Sequence, residues 1–118
     1  MTKIEKCTGI YGIYIEERLV YIGKTIQGFE TRFKQHKHFI DFPNDSETQY
    51  DMYVELAAAI EQGKRVQLRP LFIAETARYK SLYNITNRDL ESMEFVLISL
   101  LKPQYNVEGL RRAYRYTC

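Results

Sequence analysis

The chain has 118 residues, 45% hydrophobic and 27% charged, a balance that suits one globular domain (residues 1–118) and is too short for two. No apolar run approaches the ~20 residues that span a bilayer, MTKIEKC has no apolar leader core, and Cys7 and Cys118 have no metal-ligand spacing and argue weakly against a disulfide, so a cytoplasmic protein is expected. Net charge is only +2, but Lys24, Arg32, Lys34 and Lys37 precede an acidic stretch (Asp41, Asp45, Glu47, Asp51, Glu55, Glu61), which predicts basic surfaces able to meet a phosphate backbone and an acidic one facing away.

In chain order, residues 9–15 and 19–23 are rich in Ile, Tyr and Val and flank Glu16-Glu17-Arg18, which predicts a β-hairpin. Side chains alternate along a strand, so Tyr11, Ile13 and Ile15 share one face, and Ile10, Gly12 and Tyr14 the other. The hairpin register decides which tyrosine joins Tyr21. A three-residue loop over 16–18 pairs Ile15 with Leu19 and places Tyr11 beside Tyr21; a two-residue loop at Glu17-Arg18 sets Tyr14 opposite Tyr21. Two-residue hairpin turns favour Gly or Asn at positive φ, and Glu-Arg supplies neither. The three-residue loop is therefore expected, with Tyr14 a packing or surface residue behind the Tyr11/Tyr21 pair.

Phe29, Phe33, His36 and Ile40 predict a helix over 28–40. FPNDSET, residues 42–48, is turn chemistry ending in a helix cap. Met52, Leu56, Ala59 and Ile60 set the face of a helix over 49–62, closed by Gly63. Residues 65–75 predict a third strand in which Pro70 marks an edge or a bulge. Residues 86–103 predict a helix capped by Thr86 and stopped by Pro103. Its segment from Phe95 to Leu101 is apolar almost all round, which predicts burial. The expected fold is α+β: a small three-stranded, mainly antiparallel sheet flanked by helices, in the order β-β-α-α-β-α. Residues 76–85 and 107–118 carry no clear assignment.

Two tyrosines on one sheet face are more often packing than catalysis, and their company changes the balance. GIY stands at 9–11, the Tyr21 of YIGKT follows ten residues after Tyr11, and Arg32 comes eleven later within Arg32-Phe33-Lys34-Gln35-His36. MEFVLISLLKPQYN closes the series at 93–106. These elements, in this order, resemble the GIY-YIG nucleases, a family that includes phage homing endonucleases, the bacterial excision-repair incision nuclease and some restriction enzymes. The resemblance covers residues 9–107. Gly28 lengthens the link from YIG to the arginine by one residue, the acidic insertion around 41–51 has no evident motif role, and no recognisable DNA-specificity domain is expected after the nuclease-like core.

The resemblance implies a metal-dependent endonuclease acting on DNA, with RNA an open alternative, and one Mg²⁺ or Mn²⁺ per chain. It places the metal on Glu94, for which Glu91, one turn earlier, is the competitor. One carboxylate with waters and a phosphate oxygen is normal for Mg²⁺. Arg32 would grip phosphate oxygens with its planar fork. His36, one turn on, would contact phosphate, orient Tyr21 or simply pack. Lys24 would add positive charge near the scissile group or lie in solvent. Tyr11 is the candidate general base and Tyr21 the group that positions water or phosphate, with the division between them open. Asn106 would order the metal-side hydrogen bonds or act as a turn residue. Lys34, Lys37, Arg111, Arg112 and Arg115, with Tyr116, are the candidate nucleic-acid contacts. The alternatives are a nucleic-acid-binding module that keeps the fold without turnover, and a subunit that depends on a specificity partner or on homodimerisation.

Overall fold

The structure, a computed structural model, describes residues 8–74 and 87–106. Strands β1 (Thr8–Ile15), β2 (Arg18–Thr25) and β3 (Val66–Ala74) form an antiparallel sheet in the order β2-β1-β3. Helices α1 (Phe29–Asp41) and α2 (Tyr50–Glu61) are separated by a 3₁₀ turn at Pro43–Asp45, and α3 spans Asn87–Leu101. The order is the expected one with the 3₁₀ turn added and a further helical stretch at 104–106. The cap expected at the end of 42–48 is not formed: α2 starts after Gln49 with no side-chain cap, and the Ser46 hydroxyl accepts from the Gln49 amide at 3.1 Å in the turn before it. Thr86 lies outside the described residues.

The alternation of β1 divides the interior in two. Tyr11, Ile13, Ile15 and Val20 pack with Phe29 of α1 and Met52, Tyr53, Leu56 and Ala59 of α2. Ile10 and Ile22 meet Leu90 of α3 on the opposite face, with Met93, Leu97 and Ile98 against them. Each fully buried isoleucine contributes roughly 1.5–3 kcal/mol. Helices therefore cover both faces of the sheet. Ile60, expected on the buried stripe of α2, is half exposed, and Tyr53 takes its place in the core.

The hairpin reaches the expected pairing by another route. The turn is two residues, Glu16-Glu17, pairing Ile15 with Arg18 and Tyr14 with Leu19. Val20 then bulges, and Ile13 pairs with Tyr21 and Tyr11 with Gly23. The bulge restores the register of a three-residue loop, so Tyr11 and Tyr21 share a face. Glu16 adopts φ 54°, a conformation costly for a residue with a Cβ. The start of β3 ties it down: Glu16 N donates to Arg65 O at 2.7 Å, Arg65 N donates to the Glu16 carboxylate at 3.0 Å, and the Arg65 guanidinium pairs with Glu17 at 2.7 Å.

β3 is an edge strand, and Pro70 sits opposite Tyr11 where the register with β1 shifts. Gly9 allows the close approach of β3, since a Cβ there would collide with the Phe72 carbonyl. The burial expected for the end of α3 does not hold. Phe95 is 65% and Leu100 73% exposed, and Val96 and Leu101 are also open. One face of a single helix suffices to cover a three-stranded sheet, so the opposite apolar face finds no layer among the described residues.

Candidate active site

Tyr11 is fully buried, 0% exposed, and its ring crosses toward β2 over Gly23. A Cβ at Gly23 would run into the Tyr11 hydroxyl and Cζ, so that strand position must lack a side chain. Gly23→Ala is expected to push Tyr11 aside and cost about 1–3 kcal/mol, the usual range for overpacking. Denaturant unfolding of the variant against the parent checks this.

The Tyr11 hydroxyl is the hub of a buried polar cluster. Arg32 Nε donates to it at 3.1 Å, and His36 Nε2 lies 2.5 Å away. The Nδ1 of His36 reaches the Tyr53 hydroxyl at 2.7 Å. Arg32 and His36 lie one turn apart on α1, which turns both toward β1. The Tyr21 ring stands 6.5 Å from that of Tyr11 and 6.1 Å from that of His36. His36 therefore bonds the first tyrosine of the hairpin and only stacks against the second.

Burial and the neighbouring Arg32 charge push the His36 imidazole down to about 3, so it is neutral at physiological pH. Burial raises the Tyr11 phenol far above its ordinary value, more than Arg32 can offset. Burial also raises Tyr21, with Arg32 pulling down and Glu94 pushing up.

Tyr21 and Arg32 line a cleft of about 370 Å³ together with Tyr53, Asp45 and Glu47. Tyr21 is half-buried and faces the cleft, whereas Tyr11 stands behind its wall. The acidic insertion thus does not face away from the basic helix: it supplies one side of the cleft that Arg32 enters. A second hollow of about 600 Å³ on the outer side of α1 is lined by Arg32, Lys34, Gln35 and His38. Arg32 stands between the two hollows, with Nη1 bonded to Gln35 at 2.9 Å. Lys37 is exposed on the same helix and lines neither. Arg111, Arg112, Arg115 and Tyr116 lie outside the described residues.

On α3 the two glutamates have separate fates. Glu91 pairs with Lys24 at 2.6 Å and is held below the usual carboxylate range by that contact. Glu94 is half-buried and has no hydrogen bond or ion pair among the described residues. Burial raises its carboxyl above the ordinary value; Lys24 and Arg32 pull it down and Glu91 pushes it up. A partly desolvated carboxylate without a direct partner is a position that a hard cation fits. Among the described residues no group of three or more His, Cys, Asp or Glu side chains gathers, so an ion there would rest on one protein carboxylate plus waters and substrate oxygens.

Asn106 sits on the backbone of β2. Its Oδ1 accepts from Ile22 N at 2.7 Å and its Nδ2 donates to Ile22 O at 2.9 Å. It satisfies the outer edge of that strand between Tyr21 and Gly23. Tyr14 lies on the other face beneath the Arg69 guanidinium, 4.4 Å from its ring centre.

Tyr53 is the member of the cluster that the sequence reading did not select. Its signal was a tyrosine inside an otherwise apolar helix stripe, whose hydroxyl needs a buried partner. No protein-family model, curated protein or solved structure matches the chain.

Proposed function

We propose that the protein is a cytoplasmic, metal-dependent endonuclease of the GIY-YIG type that hydrolyses phosphodiester bonds in DNA. The observation that carries this reading is Arg32. Its guanidinium bonds the Tyr11 hydroxyl at 3.1 Å, lines the cleft beside Tyr21, and its charge acts on Glu94, the half-buried carboxylate that lacks a direct partner among the described residues. Phenol and guanidinium from β1, β2 and α1 gather at the cleft, while Glu94 of α3 lines neither hollow and is linked to them by the reach of the Arg32 charge.

A divalent ion on Glu94 would supply Lewis-acid charge for the phosphate and the leaving oxygen. The chain's own residues do the rest. Arg32 presents a cation to the non-bridging phosphate oxygens, held in orientation by Tyr11 at Nε and Gln35 at Nη1. Tyr21, at the cleft, orients the attacking water. Tyr11, with no exposed surface, acts through Arg32 rather than on water. Lys24 keeps Glu91 occupied and lowers the electrostatic cost of charge on Glu94. Asn106 holds the strand that carries Tyr21. Lys34 lines the hollow beyond Arg32 and offers the DNA backbone a second contact; Lys37 and the basic tail would extend it.

The test is plasmid nicking with Mg²⁺ or Mn²⁺, with and without EDTA. Cleavage that EDTA abolishes supports the enzyme. Binding without cleavage in any divalent ion replaces it with the non-catalytic module, and cleavage that needs a co-purifying protein points to the partner-dependent subunit. Within the hairpin, Tyr21→Phe is expected to lower kcat/KM by about 10²-fold or more, Tyr11→Phe by about tenfold through loosening of Arg32, and Tyr14→Phe not at all. Steady-state cleavage of an oligonucleotide ranks the three.

A further inference from the structure

We infer that Tyr53 is a positioning residue: by accepting from His36 it anchors the far end of a hydrogen-bond chain that runs through His36 and Tyr11 and holds the Arg32 guanidinium at the cleft. The argument starts from proton counting. Arginine only donates, so the Arg32 Nε–H fills one acceptor site of the Tyr11 oxygen. The Tyr11 hydroxyl is buried and must give its own proton to an acceptor. His36 Nε2, at 2.5 Å, is the acceptor in contact with it among the described residues. That nitrogen must then be bare, and a neutral imidazole with a bare Nε2 carries its proton on Nδ1. Nδ1 points at the Tyr53 hydroxyl, 2.7 Å away, which accepts.

The order is thus His36 Nδ1–H to Tyr53, Tyr11 O–H to His36 Nε2, and Arg32 Nε–H to Tyr11. Three elements supply it: β1, α1 and α2. The titratable groups facing His36 are Tyr11 from β1, Tyr21 from β2, Tyr53 from α2 and Arg32 from its own helix. No carboxylate touches it among the described residues, so the Nδ1–H form that Tyr11 requires depends on the Tyr53 oxygen to accept its proton. In the other tautomer two donors aim at the Tyr11 oxygen, its own proton loses its acceptor, and the Arg32 bond is disturbed. Tyr53 also lines the cleft, so anything that engages its hydroxyl there acts on Arg32 from behind.

The consequence for cleavage rests on the nuclease reading; the hydrogen-bond order does not. Histidine ¹⁵N NMR on the full chain reads the order directly. The parent protein is expected to show His36 neutral, with the Nδ1–H tautomer, from neutral pH to well below 6.5. An Nε2–H tautomer, or a protonated ring at neutral pH, overturns the inference without any variant. Tyr53→Phe is expected to shift His36 toward Nε2–H and to speed exchange of the Arg32 Nε–H; Tyr50→Phe, exposed on the same helix, should do neither. An unchanged tautomer in a folded Tyr53→Phe also overturns it. Cleavage by Tyr53→Phe is expected to fall about tenfold. If the parent cuts no nucleic acid while the NMR behaves as stated, the nuclease reading fails and the positioning chain stands.

Discussion

Glu94→Gln is expected to abolish metal-dependent cleavage while leaving the fold intact or slightly more stable. The two effects have one cause. Glu94 is partly desolvated, and no described residue bonds its carboxylate. Its carboxyl is raised above 4.5 in the folded chain, chiefly by burial. A group raised on folding contributes its stability below the unfolded value and loses it as pH rises through the folded value. At neutral pH the charged carboxylate is therefore a liability to the apo protein, and the neutral amide of the same shape removes it. The Tm advantage of the variant should grow as pH rises above about 4.5 and should vanish in acid. Added Mg²⁺ or Mn²⁺ should raise the Tm of the parent and not of Glu94→Gln, because a ligand stabilises only the state that binds it. Full cleavage by the variant, or an equal metal-induced shift in both proteins, would reject the assignment. Glu91→Gln should keep most activity, since Glu91 is engaged with Lys24.

Arg32→Lys is expected to lower kcat/KM by about 10²–10³-fold, the size typical of removing one preorganised charge donor from a transition state. The charge survives in lysine, but the planar fork does not. Arg32 uses Nε on Tyr11 and Nη1 on Gln35 while its charge serves the cleft. A lysine ammonium cannot satisfy these positions together. The Tyr11 hydroxyl would keep His36 and lose its donor, so the loss should fall on turnover more than on thermal stability. Single-turnover cleavage beside circular dichroism separates the two. A loss below about threefold would leave Arg32 without the role that its central position implies.

Much of the fold was legible because its signals are local. Period-two alternation in 9–15, the spacing of Phe29, Phe33 and His36, and Gly63 after α2 each mark an element from within a few residues. The pairing of Tyr11 with Tyr21 was also legible, although the rule behind it met an exception. Glu16 takes the positive φ that a glycine would usually hold, because Arg65, 49 positions away, secures the turn. The exposed apolar face of α3 was misread for a related reason: apolar composition states what a face would gain by burial, not whether a layer covers it among the described residues.

The sequence by itself determined which chemical groups are present and which share a helix or strand face: Arg32 with His36, Tyr11 with Ile13, Glu94 with Leu90 and Ile98. Only the tertiary structure decided which of them meet. It set Tyr11 behind the cleft and Tyr21 at its wall, brought Tyr53 to His36 and Asn106 to Ile22, occupied Glu91 with Lys24, and turned the acidic insertion toward Arg32. The physical reason is range. Alternation and helical period act over a few residues, whereas a buried hydrogen bond or an electrostatic environment depends on atoms that the chain brings together from across its length.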